Sequence, residues 1–244
     1  MCSRFLGSFF YFYWNILPMI LRRFVIVLFT AVLFISCSTG SSQADYSKDR
    51  LIEFFRTDDV SIIQKGERLE IRVLDSKKIE KTKETLGNKW INAEAITSVG
   101  VVDFVKQVGQ FKGIESLVVD VLYEGKGERY VYAVNDISHI IEFESTGKDF
   151  LRAGNDIGAS EAKQYLGTSV LDKVPGNKLD TLCSSIFLKQ KITKIETVGV
   201  ALKNGKASIY FNVYYINGEG QTYALTYYMN GDGKIGGIKV PQAS

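Results

Sequence analysis

The chain has 244 residues, 30 basic and 27 acidic side chains, and a formal net charge of +3. Residues 1–36 hold Arg4, Arg22 and Arg23 and no acid, so the rest is balanced at 27 basic against 27 acidic residues. That remainder lacks the basic excess that phosphate-backbone binding exploits, which excludes nucleic acid as an expected partner.

The first eighteen residues carry Phe5, Phe9, Phe10, Tyr11, Phe12, Tyr13 and Trp14 ahead of a second methionine, Met19. From Met19 onward, Arg22 and Arg23 precede an apolar run over 24–36 that stops at Cys37. A positive segment, an apolar core of this length and a small residue at its end have the layout of a secretory signal, and the run is short for a membrane span. The true start is therefore expected at Met19, and 1–36 is set aside from fold reasoning. The sequence Leu33-Phe34-Ile35-Ser36-Cys37 resembles the lipobox of bacterial lipoproteins, with Phe34 where such boxes more often carry leucine. The resemblance implies cleavage before Cys37, a diacylglycerol on its sulfur, palmitate acylation and anchoring to the cell envelope. Ser38, in place of a retaining aspartate, is permissive for the outer membrane if the cell is Gram-negative. The alternative is an uncleaved signal or N-terminal membrane anchor. Residues 38–45 are small and polar and read as a flexible tether after Cys37.

Beyond the tether, an ordered series of echoes at offsets of roughly eighty residues suggests a duplicated unit. Phe104-Val-Lys106-Gln107 is echoed by Phe187-Leu-Lys189-Gln190, Ile114-Glu115-Ser116 by Ile195-Glu196-Thr197, and Gly125-Lys126 by Gly205-Lys206. Leu86-Gly87 matches Leu166-Gly167, and Ile62-Ile63 matches Ile140-Ile141. The expected organisation is a signal over 1–36, a lipidated cysteine and tether over 37–45, an N-terminal α+β unit over 46–137 and a C-terminal α+β unit over 138–244. Each unit is predicted to pack helices on an antiparallel meander.

In the first unit, 46–55 reads as a short amphipathic helix, and Ile62-Ile63 with 69–74 as a hairpin about Gly66-Glu67. Asp75-Ser76 caps a charged helix with Ile79, Thr82 and Leu86 inward, and a second helix is expected near 101–111. Leu117, Val119, Val121 and Tyr123 alternate on a strand, and 124–127 turns into another over 129–134. His139, Ile140 and Ile141 read as strand, which would place Glu142 and Glu144 on one strand face.

In the second unit, a short helix over 160–166 stops at Gly167, and Pro175-Gly176 precedes a helix with Leu179, Leu182, Cys183, Ile186 and Phe187 on one face. Asn204-Gly205, Asn217-Gly218 and Asn230-Gly231 then punctuate four strands. A two-residue turn at Asn204-Gly205 pairs Leu202 with Ala207, Val200 with Ile209 and Val198 with Phe211. At Asn217-Gly218 a three-residue loop with a bulge places Tyr223, Leu225, Tyr227 and Met229 on the core side, because a one-residue slip exchanges the faces. Helices followed by this meander over 160–240 resemble cystatin-like and nuclear transport factor two-like domains, and also the β-lactamase-inhibitor-like fold. The first two resemblances imply an apolar cavity in the curve of the sheet, here lined by Phe211, Tyr223 and Tyr227, and a small hydrophobic ligand as one kind of partner. Fold likeness by itself carries no function.

Candidate chemistry is sparse. Gly231-Asp-Gly233-Lys-Ile-Gly236 matches a dinucleotide fingerprint as a string, but too few residues follow it for the required helix and strand, so it reads as a turn. It also lacks the spaced carboxylates of a calcium loop. His139 is the only histidine, which leaves common zinc sites and His-pair mechanisms without ligands. Cys183 has no partner in the mature chain and reads as a buried apolar residue. No catalytic residue, metal ligand or cofactor is assigned. With the register above, Tyr210, Tyr214 and Tyr228 share the outer sheet face with Ser208, Asn212, Thr222 and Thr226, a mixture suited to recognition. The expectation is a lipid-anchored, non-enzymatic envelope protein. It would meet the membrane through Cys37 and bind an envelope protein through Tyr210, Tyr214 and Tyr228.

Overall fold

Apolar residues four apart at Leu51 and Phe55 bury one side of the first helix, α1 (Asp49–Phe55), and Arg56 ends it in the left-handed region with its N–H on the Ile52 carbonyl. The computed structural model describes residues 46–86, 91–109, 111–187 and 190–240; the expected signal over 1–36, Met19, Cys37 and the expected tether lie outside them. Strands β1 (Val60–Lys65) and β2 (Arg68–Val73) form the expected hairpin, turning at Gly66. Ser76 caps α2 (Lys77–Leu86) by accepting from the Ile79 amide at 3.4 Å. Asn92 caps α3 (Ala93–Val108) in the same way, accepting from Ala95 at 2.9 Å. This helix begins well ahead of the expected 101, because apolar and small residues surround it on every side rather than marking one stripe.

Strands β3 (Ser116–Tyr123) and β4 (Lys126–Ala133) follow, joined at Glu124-Gly125, both with positive φ as a tight hairpin turn requires. The first sheet has the order β1-β2-β3-β4, with Leu69, Ile71, Val73, Leu117, Val119 and Val121 buried on one face. Its central pair is parallel, since α2 and α3 carry the chain from the end of β2 back to the start of β3. In that one pairing the sheet departs from a plain meander.

The expected strand at 139–144 is instead part of a 19-residue helix, α4 (Val134–Arg152). Ile140-Ile141 reads as strand locally, but Ile137, Ile140, Glu144, Gly147 and Leu151 recur at helical spacing and are all buried. The expected boundary between 137 and 138 thus falls inside a continuous helix. Ile62-Ile63 lies on a strand and Ile140-Ile141 on this helix, so that echo does not mark equivalent positions. Gly125 and Gly205 do occupy matching hairpin turns.

After a wide helical turn at Ala153–Ile157 come short helices α5 (Ala159–Ala162) and α6 (Thr168–Leu171), then α7 (Gly176–Ile186), along which Cys183 is fully buried. Strands β5 (Ile192–Lys203), β6 (Lys206–Tyr215), β7 (Gly220–Tyr228) and β8 (Ile235–Lys239) form an antiparallel meander in chain order. Leu202 pairs with Ala207 and Val200 with Ile209 as expected. Phe211 is paired by Thr197 rather than Val198, because a bulge between Thr197 and Gly199 inserts one extra residue. Tyr214 pairs with Gly220, leaving a loop that bulges as expected, and Tyr223, Leu225 and Tyr227 are fully buried while Met229 is half-buried.

The protein is therefore α+β, with two helix-and-sheet layers in chain order. A single hydrophobic cluster runs from Leu51 through both sheets to Ile235. Helix α3 is its pivot: eleven of its sixteen residues are buried, and it packs on α1, α2, α4 and along edge strand β5. Gly199 of β5 lets this approach happen, since a Cβ there would lie 3.2 Å from Ile91 and 3.4 Å from Ala95.

Candidate functional site

The bulge at Val198 sits where the two layers meet, and it turns Thr197 toward α4. Around it opens a cleft of about 450 Å³. Phe54 and Arg56 from the end of α1, with Lys78, Lys81 and Thr82 of α2, form one wall. Ile195, Glu196, Asn212 and Tyr214 of β5 and β6 form the other, and Val99, Asp103, Glu144 and Lys148 lie between. Its size is that of an ordinary ligand site.

At its base Glu144, 5 % exposed, bonds Lys106 of α3 and Lys148 of α4 and accepts from the Thr197 hydroxyl at 2.8 Å. Burial pushes its carboxyl up, but the hydrogen bonds and charges of Lys106 and Lys148 together outweigh that and hold it below the usual carboxylate range. Asp103 moves the opposite way: burial raises it, Lys106 pulls it back and the Glu144 charge pushes it further up. On the far wall the Tyr214 hydroxyl donates to Glu196 at 3.0 Å, and Lys194 pairs with the same carboxylate. Hydrogen bonds from Lys194 and Tyr214, opposed by partial burial, leave Glu196 below its ordinary value.

The three expected tyrosines share the outer face of the second sheet but do different things. Tyr214 borders the cleft and is 36 % exposed. Tyr228, equally exposed, lies at the opposite end with the Lys206 ammonium 5.0 Å above its ring. Tyr210, midway along β6, is half-buried, its ring 3.4 Å from where a Cβ on Gly199 would stand. On the inner face, Phe211, Tyr223 and Tyr227 are fully buried. Phe143 of α4 stacks on Tyr227 at 4.6 Å, and the backbone at Gly147 closes on Phe211 and Tyr227.

Glu144 was not legible as part of a site. Read as a strand, 139–144 pairs it with Glu142 on a solvated edge; in a helix the two point apart, and Glu144 turns inward. The helical recurrence of 137, 140, 144, 147 and 151 was the available signal. His139, also on α4, is half-buried beside Asn135 and Phe143 and does not line the cleft. Among the described residues no group of three or more His, Cys, Asp or Glu side chains is placed to hold a metal ion, and no helix is long and apolar enough to cross a membrane. Burial raises the Cys183 thiol above its ordinary value, which disfavours the nucleophilic thiolate.

No family model, curated protein or solved structure matches this chain.

Proposed function

We propose that the protein is a lipid-anchored, non-enzymatic component of a bacterial cell envelope that captures a protein partner through the outer face of its second sheet. Cys37 carries the lipid, and Tyr214 and Tyr228 carry the contact. The observation behind the contact is that these two rings face solvent on a sheet face rich in hydroxyl and amide side chains, with Tyr214 at the mouth of the cleft. A small apolar ligand is the weaker reading, because the space before Phe211 and Tyr227 is taken by Phe143 and α4, and the buried Tyr223 hydroxyl donates to the Ile186 carbonyl at the end of α7. In the non-enzymatic reading Glu144 is a structural anion, bonded to Lys106, Lys148 and the Thr197 hydroxyl at the base of the cleft. The likeness of the C-terminal half to cystatin-like or nuclear transport factor two-like domains rests on its order of helices and strands.

The test is crosslinking in the native envelope followed by mass spectrometry. Changing Tyr214→Ser and Tyr228→Ser together should abolish a crosslinked polypeptide while thermal unfolding stays unchanged; full capture by this variant removes that face from consideration. Tyr210 is left intact because its ring is packed. The anchor is read separately: the mature N-terminal peptide should begin at an acylated Cys37, and Cys37→Ala should move the protein out of the membrane fraction.

A further inference from the structure

We infer that the cleft between α2 and the β5–β6 edge takes an extended peptide segment in which carboxylate side chains alternate with apolar ones, supplied by the protein partner. This inference rests on the partner-binding reading and names the chemistry of the partner. Four cations line the cleft, Arg56, Lys78, Lys81 and Lys148, against three carboxylates, Asp103, Glu144 and Glu196. Two of those carboxylates are answered from just outside the lining, Glu144 by Lys106 and Glu196 by Lys194. In the lining itself four cations stand against three carboxylates, two of which are already answered from behind by Lys106 and Lys194, so the local balance is positive although the chain beyond residue 36 is neutral.

Charge alone would suit any anion, and the walls narrow the choice. Phe54, Val99, Ile195 and Val198 place apolar surface between the charged groups, so an occupant gains by carrying apolar groups of its own. Thr82, Asn212 and Tyr214 add hydrogen-bonding groups along the walls. Tyr214 belongs both to the cleft and to the outer sheet face, so a chain lying in the cleft runs on over the tyrosine surface. A free small carboxylate would use the cations and leave that continuity unused.

The experiment uses the full chain purified in detergent and two labelled probes read by fluorescence anisotropy, a hexapeptide alternating Glu and Leu and its Gln-Leu counterpart, with unlabelled phenylbutyrate as a competitor. The Glu-Leu peptide should bind saturably, at least about tenfold tighter than the Gln-Leu peptide, and weaken as salt rises and screens the cleft. Lys78→Glu with Lys81→Glu should weaken it at least about tenfold, whereas Lys112→Glu, an exposed change on the α3–β3 connection, should not. Equal binding of both peptides, or indifference to salt in the unaltered protein, overturns the inference without relying on any variant. Phenylbutyrate displacing the peptide at equal concentration overturns the peptide source and assigns the cleft to free carboxylates. Failure of the peptide to bind while the Tyr214 and Tyr228 changes still abolish envelope crosslinking sinks this inference alone. Peptide binding with no crosslinked polypeptide in the envelope sinks the partner reading instead.

Discussion

A carboxylate as enclosed as Glu144 remains ionised because cations stand against it, and removing such a group leaves those cations facing each other in a site of low polarity. Glu144→Ala should therefore lower stability by about 2–4 kcal/mol in urea unfolding, since the two lysines keep partial access to water and soften the loss. The pH dependence follows from the direction of its shift. A carboxyl whose folded pKa is depressed contributes stability above its unfolded value of 4.5, and that contribution disappears as pH falls through the folded value. Asp103 is raised from 3.8, so its effect has the opposite sign: it favours the fold below that value and loses this effect as pH rises through the folded pKa. The gap in urea midpoint between the unaltered protein and Glu144→Gln should thus be widest near pH 6–7 and shrink below about pH 4.5. A gap independent of pH would show that Glu144 acts through packing and not through charge.

At the level of elements, the contact of α4 with the second sheet depends on glycine. A Cβ on Gly147 would stand 2.7 Å from the Tyr227 hydroxyl oxygen and 2.8 Å from the Phe211 ring. Alanine is the better helix former by about 1 kcal/mol, yet overpacking a filled core costs about 1–3 kcal/mol. Gly147→Ala should therefore be destabilising on balance, seen as a lower melting temperature; a rise would mean that α4 can lift from the sheet at no cost. The same helix marks the limit of what the sequence made legible. The second sheet could be read in detail, including the loop at Asn217-Gly218, because Asn-Gly turns and alternation fix register locally. The bulge at Val198 could not, since an extra residue in a strand leaves no mark on composition. The helical identity of 139–144 was hidden by its two isoleucines, whose strand preference is overruled once a longer stretch is packed on both sides. The cleft was invisible for a related reason: its walls come from α1, α2, α3, α4, β5 and β6, and no local pattern brings those together. Only Tyr214 and its neighbour Asn212, picked out on one strand face, pointed toward it.

For the molecule as a whole, the two sheets share one core through α3, so the halves are consecutive in sequence without being independent in stability. Residues 138–244 alone would begin inside α4 and bare the surface of edge strand β5 that α3 covers at Gly199, exposed apolar area of the kind that drives association. That fragment is expected to aggregate or to lack a cooperative urea transition, while the full chain unfolds in one step by fluorescence and circular dichroism together. A sharp transition in the isolated fragment would restore the picture of two separable domains.

The surroundings of α3 also set a schedule. Ribosomes deliver this helix first, and β5 follows only after about eighty further residues, a span that includes all of α4. Until then an apolar helix flank has nothing to rest on, and unfinished chains with such surface associate with one another. A messenger cut short before β5 would yield a species that seeks out its own kind instead of a smaller working protein, which makes prompt completion or shielding by a chaperone a requirement written into the architecture.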